Sequence, residues 1–264
     1  MYENKTIYVY EKGNGINNYV FLCGWANPTA LSDMYELADE MSQYGKCIII
    51  DRFGYGESSD CELKRNLNNI SKEINVVLKT LNVNKNIVLI GHSLGTFISI
   101  DYAKNNKDKI KAILLLDSYP IKYTFERFAF VVNYIIAFEI LFLRKVGFLK
   151  RMNNAKLEQI LFKNRNIPQE IKLQAVKITK ERIYNKTILN ELKDSIQSLK
   201  YLFKDIGILN GIPVTCICRS IYFKRNLIYK DYLNQVKIVK VNKSSHFIHH
   251  TYTNIVINEI KNFK

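Results

Sequence analysis

Short apolar runs that alternate with helix-like segments restrict the fold of this chain more than any other feature. The runs KCIIID, NIVLI, KAILLLD and IPVTCIC show almost no alternation between apolar and polar residues. Such runs are typical of strands that are buried on both faces of a parallel sheet. The intervening segments place apolar residues at helical spacing, and Ser32 is expected to cap one of these helices. The sequence therefore predicts an α/β fold in which helices flank a mainly parallel central sheet.

The stretch between about Ser118 and Asp205 interrupts this alternation. Its pattern is helical throughout, and Pro168 is expected in the first turn of one helix. Because both flanks continue the sheet pattern, we predict a core formed by residues 1–117 and 206–264 and a helical insertion at 118–205. The most apolar window, residues 128–143, lies in this insertion. Asn133 and Glu139 interrupt it, and it is too short to predict a membrane span.

The composition is that of a globular protein, with 47% hydrophobic residues and a formal net charge of +15. We attribute the charge to lysines scattered along the whole chain, because no block of five or more basic residues occurs. We therefore predict no nucleic-acid partner. Five cysteines, most of them in or beside apolar runs, are typical of reduced, buried thiols. The first residues show no signal-peptide pattern, and we expect a cytoplasmic protein.

A serine stands at the point where a predicted strand gives way directly to a helix. In the segment IVLIGHSLGTFIS, Gly91 and Gly95 flank Ser93 at a spacing of two on each side. Glycines allow the turn to be tight, and the strained turn holds the serine exposed at its tip. The N–H of Leu94, at the start of the helix, could stabilise an oxyanion that forms beside Ser93. The alternative is an ordinary strand-to-helix turn with a capping serine.

A serine hydroxyl needs a general base before it can act as a nucleophile. The chain has four histidines, and one of them, His92, is adjacent to Ser93. The other three follow the last predicted strand, in the segment NKSSHFIHH. His246 is on the loop directly after that strand, so we predict that it is the base. His249 and His250 lie nearer the final helix and are the weaker candidates.

Five segments, in their order and spacing, resemble the α/β-hydrolase fold superfamily, and in particular lidded bacterial esterase- and lipase-like hydrolases. The segments are NYVFLCGW, DRFGYGES, GHSLG, LLLDSYP and SSHFIHHTYTNIVINEI. The resemblance implies that the backbone N–H of Trp25 joins that of Leu94 in an oxyanion hole. It also implies that the insertion is a lid over the active site. Asp51, in the second segment, is implied to have a structural, hydrogen-bonding role.

The chain departs from the superfamily at two positions. Cys23 stands where the oxyanion segment usually has a histidine, which matters little if the donor is a backbone N–H. The second departure concerns the acid of the catalytic triad, because Arg219 and Ser220 occupy its customary place after the strand IPVTCIC. We predict that Asp117, at the end of the strand after the serine turn, orients His246 instead. Asp231 is the second candidate, and a dyad without an acid is the third.

These observations predict a serine hydrolase that cleaves an ester, thioester or amide bond of a small substrate with an apolar acyl group. We expect four residues around the substrate pocket, namely Gly24, His92, Phe125 and Phe128. The apolar helix of the lid is predicted to line that pocket, and weak contact of the lid with an anionic membrane surface is the alternative. The alternative function is that of a catalytically silent scaffold that acts as a receptor or binds a partner protein.

No cofactor or metal site is predicted. The glycines do not form a phosphate-binding loop, since the pattern GxGxxG is absent. Cys216 and Cys218 are two residues apart in a predicted strand, so they would face the same side as ordinary core residues. The sequence gives no basis for an oligomeric state.

Overall fold

The computed structural model describes residues 4–118, 135, 137–139, 141–199 and 201–263. Within them one sheet of seven strands has the order β1-β3-β2-β4-β5-β6-β7. The strands are β1 (Tyr8–Lys12), β2 (Asn18–Leu22), β3 (Lys46–Asp51), β4 (Ile87–His92), β5 (Ile110–Leu116), β6 (Val214–Arg219) and β7 (Val236–Val241). β1 is antiparallel to β3, and every other neighbouring pair is parallel. The predicted, mainly parallel sheet is confirmed.

Helices lie along both faces of the sheet and in the insertion that follows β5. Their bounds are α1 (Ala30–Met41), α2 (Leu67–Thr80), α3 (Leu94–Asn105), α4 (Phe148–Arg151), α5 (Asn154–Phe162), α6 (Gln169–Glu181), α7 (Lys186–Leu199), α8 (Phe223–Asn226), α9 (Tyr229–Tyr232), α10 (Ile248–Thr251) and α11 (Thr253–Lys261). The order of strands and helices alternates as the sequence predicts, except in the insertion.

Burial on both faces explains why the strands read as continuous apolar runs. Successive side chains of a strand point to opposite faces of the sheet. On one face, Val20 and Leu89 pack with α2 and α3, and on the other, Phe21 and Ile90 pack with α1 and α11. Since both faces are covered by helices, neither set of side chains has to be polar.

Two predicted helix starts are wrong by a few residues. Thr29, not Ser32, caps α1, because its Oγ1 accepts a hydrogen bond from the N–H of Ser32 at 2.8 Å. Pro168 precedes α6 as its N-cap residue instead of lying in its first turn. Both positions suit these residues, since a threonine hydroxyl satisfies a free N–H of the first turn and proline lacks an N–H.

Helical segments follow β5, as expected for a lid. Residues 141–145 are helical, and α4 to α7 come after them. Phe125 and Phe128, which we expected to line the pocket, lie outside the described residues, and the limits of the insertion at 118 and 205 remain a prediction. None of the helices described is both long and apolar enough to cross a membrane. All five cysteines are free and buried, as the sequence predicts.

Candidate functional site

The turn that carries Ser93 has the strained geometry that its sequence suggests. Ser93 follows β4 directly and has φ 53° and ψ −117°, and α3 begins at the next residue. A Cβ at Gly91 would lie 2.4 Å from the carbonyl oxygen of Gly95, and one at Gly95 would lie 2.0 Å from that of Leu22. Both contacts are too short for a side chain, so the turn requires both glycines. This backbone conformation costs a non-glycine residue conformational free energy, so the surrounding structure must hold Ser93 in it.

The register of the sheet sets Ser93 beside Asp117. His92, the last residue of β4, pairs with Leu116, the last residue of β5, so the residues that follow them are neighbours at the carboxyl edge. The N–H of Ser93 donates to the carbonyl oxygen of Leu116 at 3.0 Å. Asp117 also has a positive φ, of 47°. Two strained residues therefore stand side by side where the strands end.

The structure brings His246 to this edge from the loop after β7. Its Nδ1 lies 2.6 Å from Oδ2 of Asp117. The carboxylate is fully buried, whereas the His246 side chain is 40% exposed. A carboxylate only accepts hydrogen bonds, so this contact assigns a proton to Nδ1 and leaves Nε2 as the basic nitrogen. Asp231, the second candidate for the acid, is exposed on α9.

Arg219, in the customary place of the acid, also holds Asp117. Its backbone N–H donates to Oδ1 at 3.2 Å, and its Nε donates to Oδ2 at 2.7 Å. Burial lowers the pKa of His246, and the positive charge of Arg219 lowers it further, against the opposing effect of Asp117. The net pKa of His246 is below its ordinary value, so the ring is neutral and able to accept a proton near pH 7.

The segment with Gly24 and Trp25 lies against the serine turn. A Cβ at Gly24 would lie 3.1 Å from Cβ of Ser93, so this glycine permits the close approach. The backbone N–H groups of Trp25 and Leu94 donate no hydrogen bond to another described residue. The Trp25 indole donates through Nε1 to the carbonyl oxygen of Ile188 at 2.8 Å, which ties this segment to α7.

A buried network of charged residues also links α7 to the same segment, and sequence reasoning missed it. Arg52 forms an ion pair with Glu191 at 2.7 Å, and both side chains are fully buried. Arg52 also donates to the carbonyl oxygen of Cys23 at 3.0 Å, and Tyr55 donates to Glu191 at 2.6 Å. Arg52 and Glu191 are 139 positions apart. The sequence around Glu191 looks like that of an ordinary exposed helix, so its burial could not be predicted.

A second cluster of polar residues is buried behind the serine turn. His249 Nε2 lies 3.0 Å from Oδ1 of Asp33, and His250 Nε2 lies 2.9 Å from the carbonyl oxygen of Asp33. His92 joins this cluster, with Nδ1 at 3.6 Å from Oδ2 of Asp33 and Nε2 at 3.0 Å from the carbonyl oxygen of His246. Because its side chain is only 1% exposed, His92 is not on the pocket wall where we predicted it.

The charges of this cluster follow from its burial. Burial lowers the pKa of His249 to about 3, so its ring is neutral. Burial alone would raise the pKa of Asp33, but the contacts with His249, His250 and His92 hold it well below the ordinary value. The buried carboxylate of Asp33 therefore accepts a hydrogen bond from the neutral imidazole of His249.

Asp33, His92 and His249 together could hold a metal ion, since their donor atoms lie within 4.8 Å of one another. The sequence predicts no metal site, and these three residues come from three separate segments of the chain. The 3.0 Å contact between Asp33 and His249 is a hydrogen bond, which accounts for that arrangement without a metal. Nδ1 of His92 and Nδ1 of His249 are buried with no hydrogen-bond partner among the described residues.

Asp51 and the cysteines have the structural roles that the sequence predicts. Asp51 accepts hydrogen bonds from the N–H of Ala30 through Oδ1 and from the Ser58 hydroxyl through its carbonyl oxygen, the latter at 2.6 Å. Burial raises the pKa of Asp51 to about 7. Cys216 and Cys218 are both fully buried in β6 and pack into the same core cluster.

Comparisons with known proteins agree with this architecture. The family model described as the alpha/beta hydrolase fold matches residues 20–133. A haloalkane dehalogenase from Agrobacterium fabrum is 25% identical over 111 residues, which are 42% of this chain and 35% of the dehalogenase. This chain thus spans about a third of the length of the curated relatives that it matches.

Two solved structures resemble this chain along nearly its whole length. An epoxide hydrolase without ligand has a TM-score of 0.72 and 17% identity, and the match covers 100% of this chain and 96% of that one. An enzyme that degrades N-acyl homoserine lactone has a TM-score of 0.71 and 17% identity, with coverage of 99% and 98%. At such low identity the likeness concerns the fold alone.

Proposed function

We propose, from the premise that this chain is a member of the α/β-hydrolase fold superfamily, that it is a serine hydrolase. Its substrate is a small ester, thioester or amide with an apolar acyl group. The observation that carries the proposal is the 2.6 Å contact of His246 with Asp117 at the sheet edge where Ser93 stands in its strained turn. This contact also weakens the silent-scaffold alternative, which depended on the lack of an acid in its customary place.

In the first half of the reaction, Nε2 of His246 takes the proton of the Ser93 hydroxyl as Oγ attacks the carbonyl carbon of the substrate. Asp117 stabilises the imidazolium that forms. The oxyanion accepts hydrogen bonds from the N–H groups of Trp25 and Leu94. The leaving group departs with the proton from His246, and an acyl group remains on Ser93.

In the second half, a water molecule replaces the leaving group. His246 takes a proton from the water as its oxygen attacks the acyl carbon, and the oxyanion occupies the same hole. Collapse of this intermediate breaks the bond to Ser93, whose oxygen recovers its proton from His246. The products are a carboxylic acid and the free enzyme.

The similar proteins also include enzymes that are named for acting on epoxides and haloalkanes, but the serine favours acyl transfer. Attack of a serine oxygen on an alkyl carbon would leave an ether on the enzyme. An ether has no carbonyl carbon for water to attack, so the enzyme would stop after one turnover. An acyl ester on Ser93 is hydrolysed readily. The lactone named for another similar protein is itself an ester.

Support for an apolar acyl group comes from the apolar cluster beside the oxyanion segment. Ala137, Leu149 and Tyr184 of the insertion are buried together, and Trp25 packs against them. The Tyr184 ring meets the Trp25 ring edge-on at 5.3 Å between centroids. An acyl chain that extends from Ser93 past Trp25 would therefore contact apolar side chains.

A fluorophosphonate probe tests the proposal, since it labels activated serines covalently. We expect labelling of the folded protein and none of the Ser93→Ala variant. We also expect hydrolysis of p-nitrophenyl esters, with kcat/KM that rises with the length of the acyl chain. Folded protein that is neither labelled nor active on any ester would contradict the proposal and favour the silent scaffold. A preference for the shortest acyl group would contradict the apolar pocket.

A further inference from the structure

One helical stretch of the insertion exposes a row of large apolar side chains. Residues 135, 137–139 and 141–145 are helical. Along this stretch, Ile135, Phe138, Phe142 and Val146 are 52%, 66%, 59% and 48% exposed. Their spacings of three, four and four residues place them on one side of a helix. We call these four residues the outer stripe. Phe148, which begins α4 after the turn at Gly147, is also 50% exposed.

The opposite side of the same stretch is the one that packs on the protein. Ala137 is 1% exposed and lies in the cluster with Tyr184 and Trp25, and Leu141 packs against that cluster. Arg144 donates to the carbonyl oxygen of Ile183 at 2.7 Å, which fixes this side towards the core. This stretch of the insertion therefore has two apolar faces. One packs on the protein, and the other, the outer stripe, is exposed and is not needed for that packing.

Basic residues lie next to the outer stripe in the sequence. Lys145, Lys150 and Arg151 are exposed, and Glu139 is the acidic residue of the segment 135–151. With Arg144, this segment has four cationic side chains and one anionic, a net charge of +3. An exposed apolar face with a cationic border is typical of helices that lie in the interface of an anionic membrane.

We propose that the outer stripe docks on the surface of a bilayer that contains anionic phospholipid. Phe138 and Phe142 enter the boundary between headgroups and acyl chains, while Lys145, Lys150 and Arg151 contact lipid phosphates. The attachment is peripheral, in keeping with the lack of a spanning helix among the described residues. The charge of the chain, +15, favours an anionic surface and opposes pairing with a second copy of the same cationic segment. The proposal does not depend on the hydrolase activity.

The test is flotation of the full chain with vesicles of phosphatidylcholine, alone or mixed with phosphatidylglycerol. We expect binding to the mixed vesicles that weakens as salt is added, and little binding to phosphatidylcholine alone. The double variant F138S/F142S should lower the partition coefficient by about tenfold or more, because two aromatic rings no longer leave water. K145Q/K150Q should lower it by about thirtyfold on mixed vesicles, at roughly 1 kcal/mol per lysine.

The matched control is I160S/L173S, which removes two exposed apolar side chains elsewhere in the insertion, 63% and 47% exposed. It should bind mixed vesicles like the parent protein, and so should Ser93→Ala, which separates this test from that of the hydrolase. Equal binding to both kinds of vesicle, no binding at all, or equal losses in F138S/F142S and I160S/L173S would overturn the proposal. So would a dimer in solution that F138S/F142S dissociates while vesicle binding is unchanged.

Discussion

The protein contains two aspartate–histidine pairs at the same end of the sheet, and they differ in what surrounds them. In one, His246 lies 2.6 Å from Asp117, and in the other, His249 lies 3.0 Å from Asp33. Both carboxylates are buried, but the His246 side chain is 40% exposed and that of His249 only 1%. The same two groups thus form one pair whose histidine is partly exposed and one that is buried in the core.

The difference matters for the proposed function, because a histidine that an aspartate orients can act as a base only through an accessible second ring nitrogen. Nε2 of His246 is on the ring side away from Asp117, and the ring stays partly exposed. For His249 it is Nε2 that contacts Asp33, while Nδ1 is buried without a described partner. The first pair is suited to moving a proton, and the second is suited to holding α1 against the segment after β7.

The largest effect that we expect comes from Asp117→Asn. The amide cannot accept the Nδ1 proton as a carboxylate does, so His246 takes the wrong tautomer. We expect kcat on an ester substrate to fall by about 10⁴-fold, as in serine protease triads, with the fold intact by circular dichroism. Asp231→Asn is the matched control and should retain nearly full activity. If Asp231→Asn were the inactive variant instead, the acid would have been assigned to the wrong residue.

Asp33→Asn should act mainly on stability. It removes the charge that accepts hydrogen bonds from His249 and from Asn27, the latter at 3.0 Å, so we expect the free energy of unfolding to fall by about 3 kcal/mol. Urea denaturation measures this change. Asp39→Asn, on the same helix but with a side chain that is 40% exposed, should change stability little. Equal effects of the two substitutions would show that the buried pair contributes no special stability.

His249 should make stability depend on pH. Its pKa is about 3 in the folded protein and near its ordinary value of 6.5 when unfolded. Between these values only the unfolded state binds the proton. The free energy of unfolding therefore has its full contribution from His249 above about pH 6.5, and this contribution is lost as the pH falls. We expect the urea midpoint of His249→Gln to decrease less between about pH 7 and about pH 5 than that of the parent protein. Identical decreases would argue against a depressed pKa for His249.

The smallest effect concerns Arg219→Gln. Removing the guanidinium takes away a positive charge that lowers the pKa of His246, so that pKa should rise. The base must be neutral, and we therefore expect the acidic limb of the profile of kcat/KM against pH to move to higher pH. The maximal value of kcat/KM on the plateau of this profile should change far less than it does in Asp117→Asn. Arg225→Gln, which removes a cation near the same Tyr222 ring, is the control and should leave the limb in place.

The sequence by itself determined the features that depend on a few consecutive residues. Apolar runs without alternation predicted strands buried on both faces, because the side chains of a strand alternate between two covered faces. Gly91 and Gly95 predicted the strained turn at Ser93, because backbone sterics act over that distance. A histidine directly after the last strand had to reach the carboxyl edge of the sheet, and His246 does so.

Only the tertiary structure decided which distant residues meet. Asp117 and Asp231 were both open as partners of His246 until the register of β4 and β5 set Asp117 beside Ser93. The pairing of Arg52 with Glu191 and the burial of His92 with Asp33 depend on packing between segments that carry no local sign of each other. The spacing of the apolar residues in the insertion also did not show which of them face the protein and which face outward. A helix with apolar residues on two sides can pack on either, and the fit of Ala137 and Leu141 against the Trp25 cluster left Phe138 and Phe142 outside.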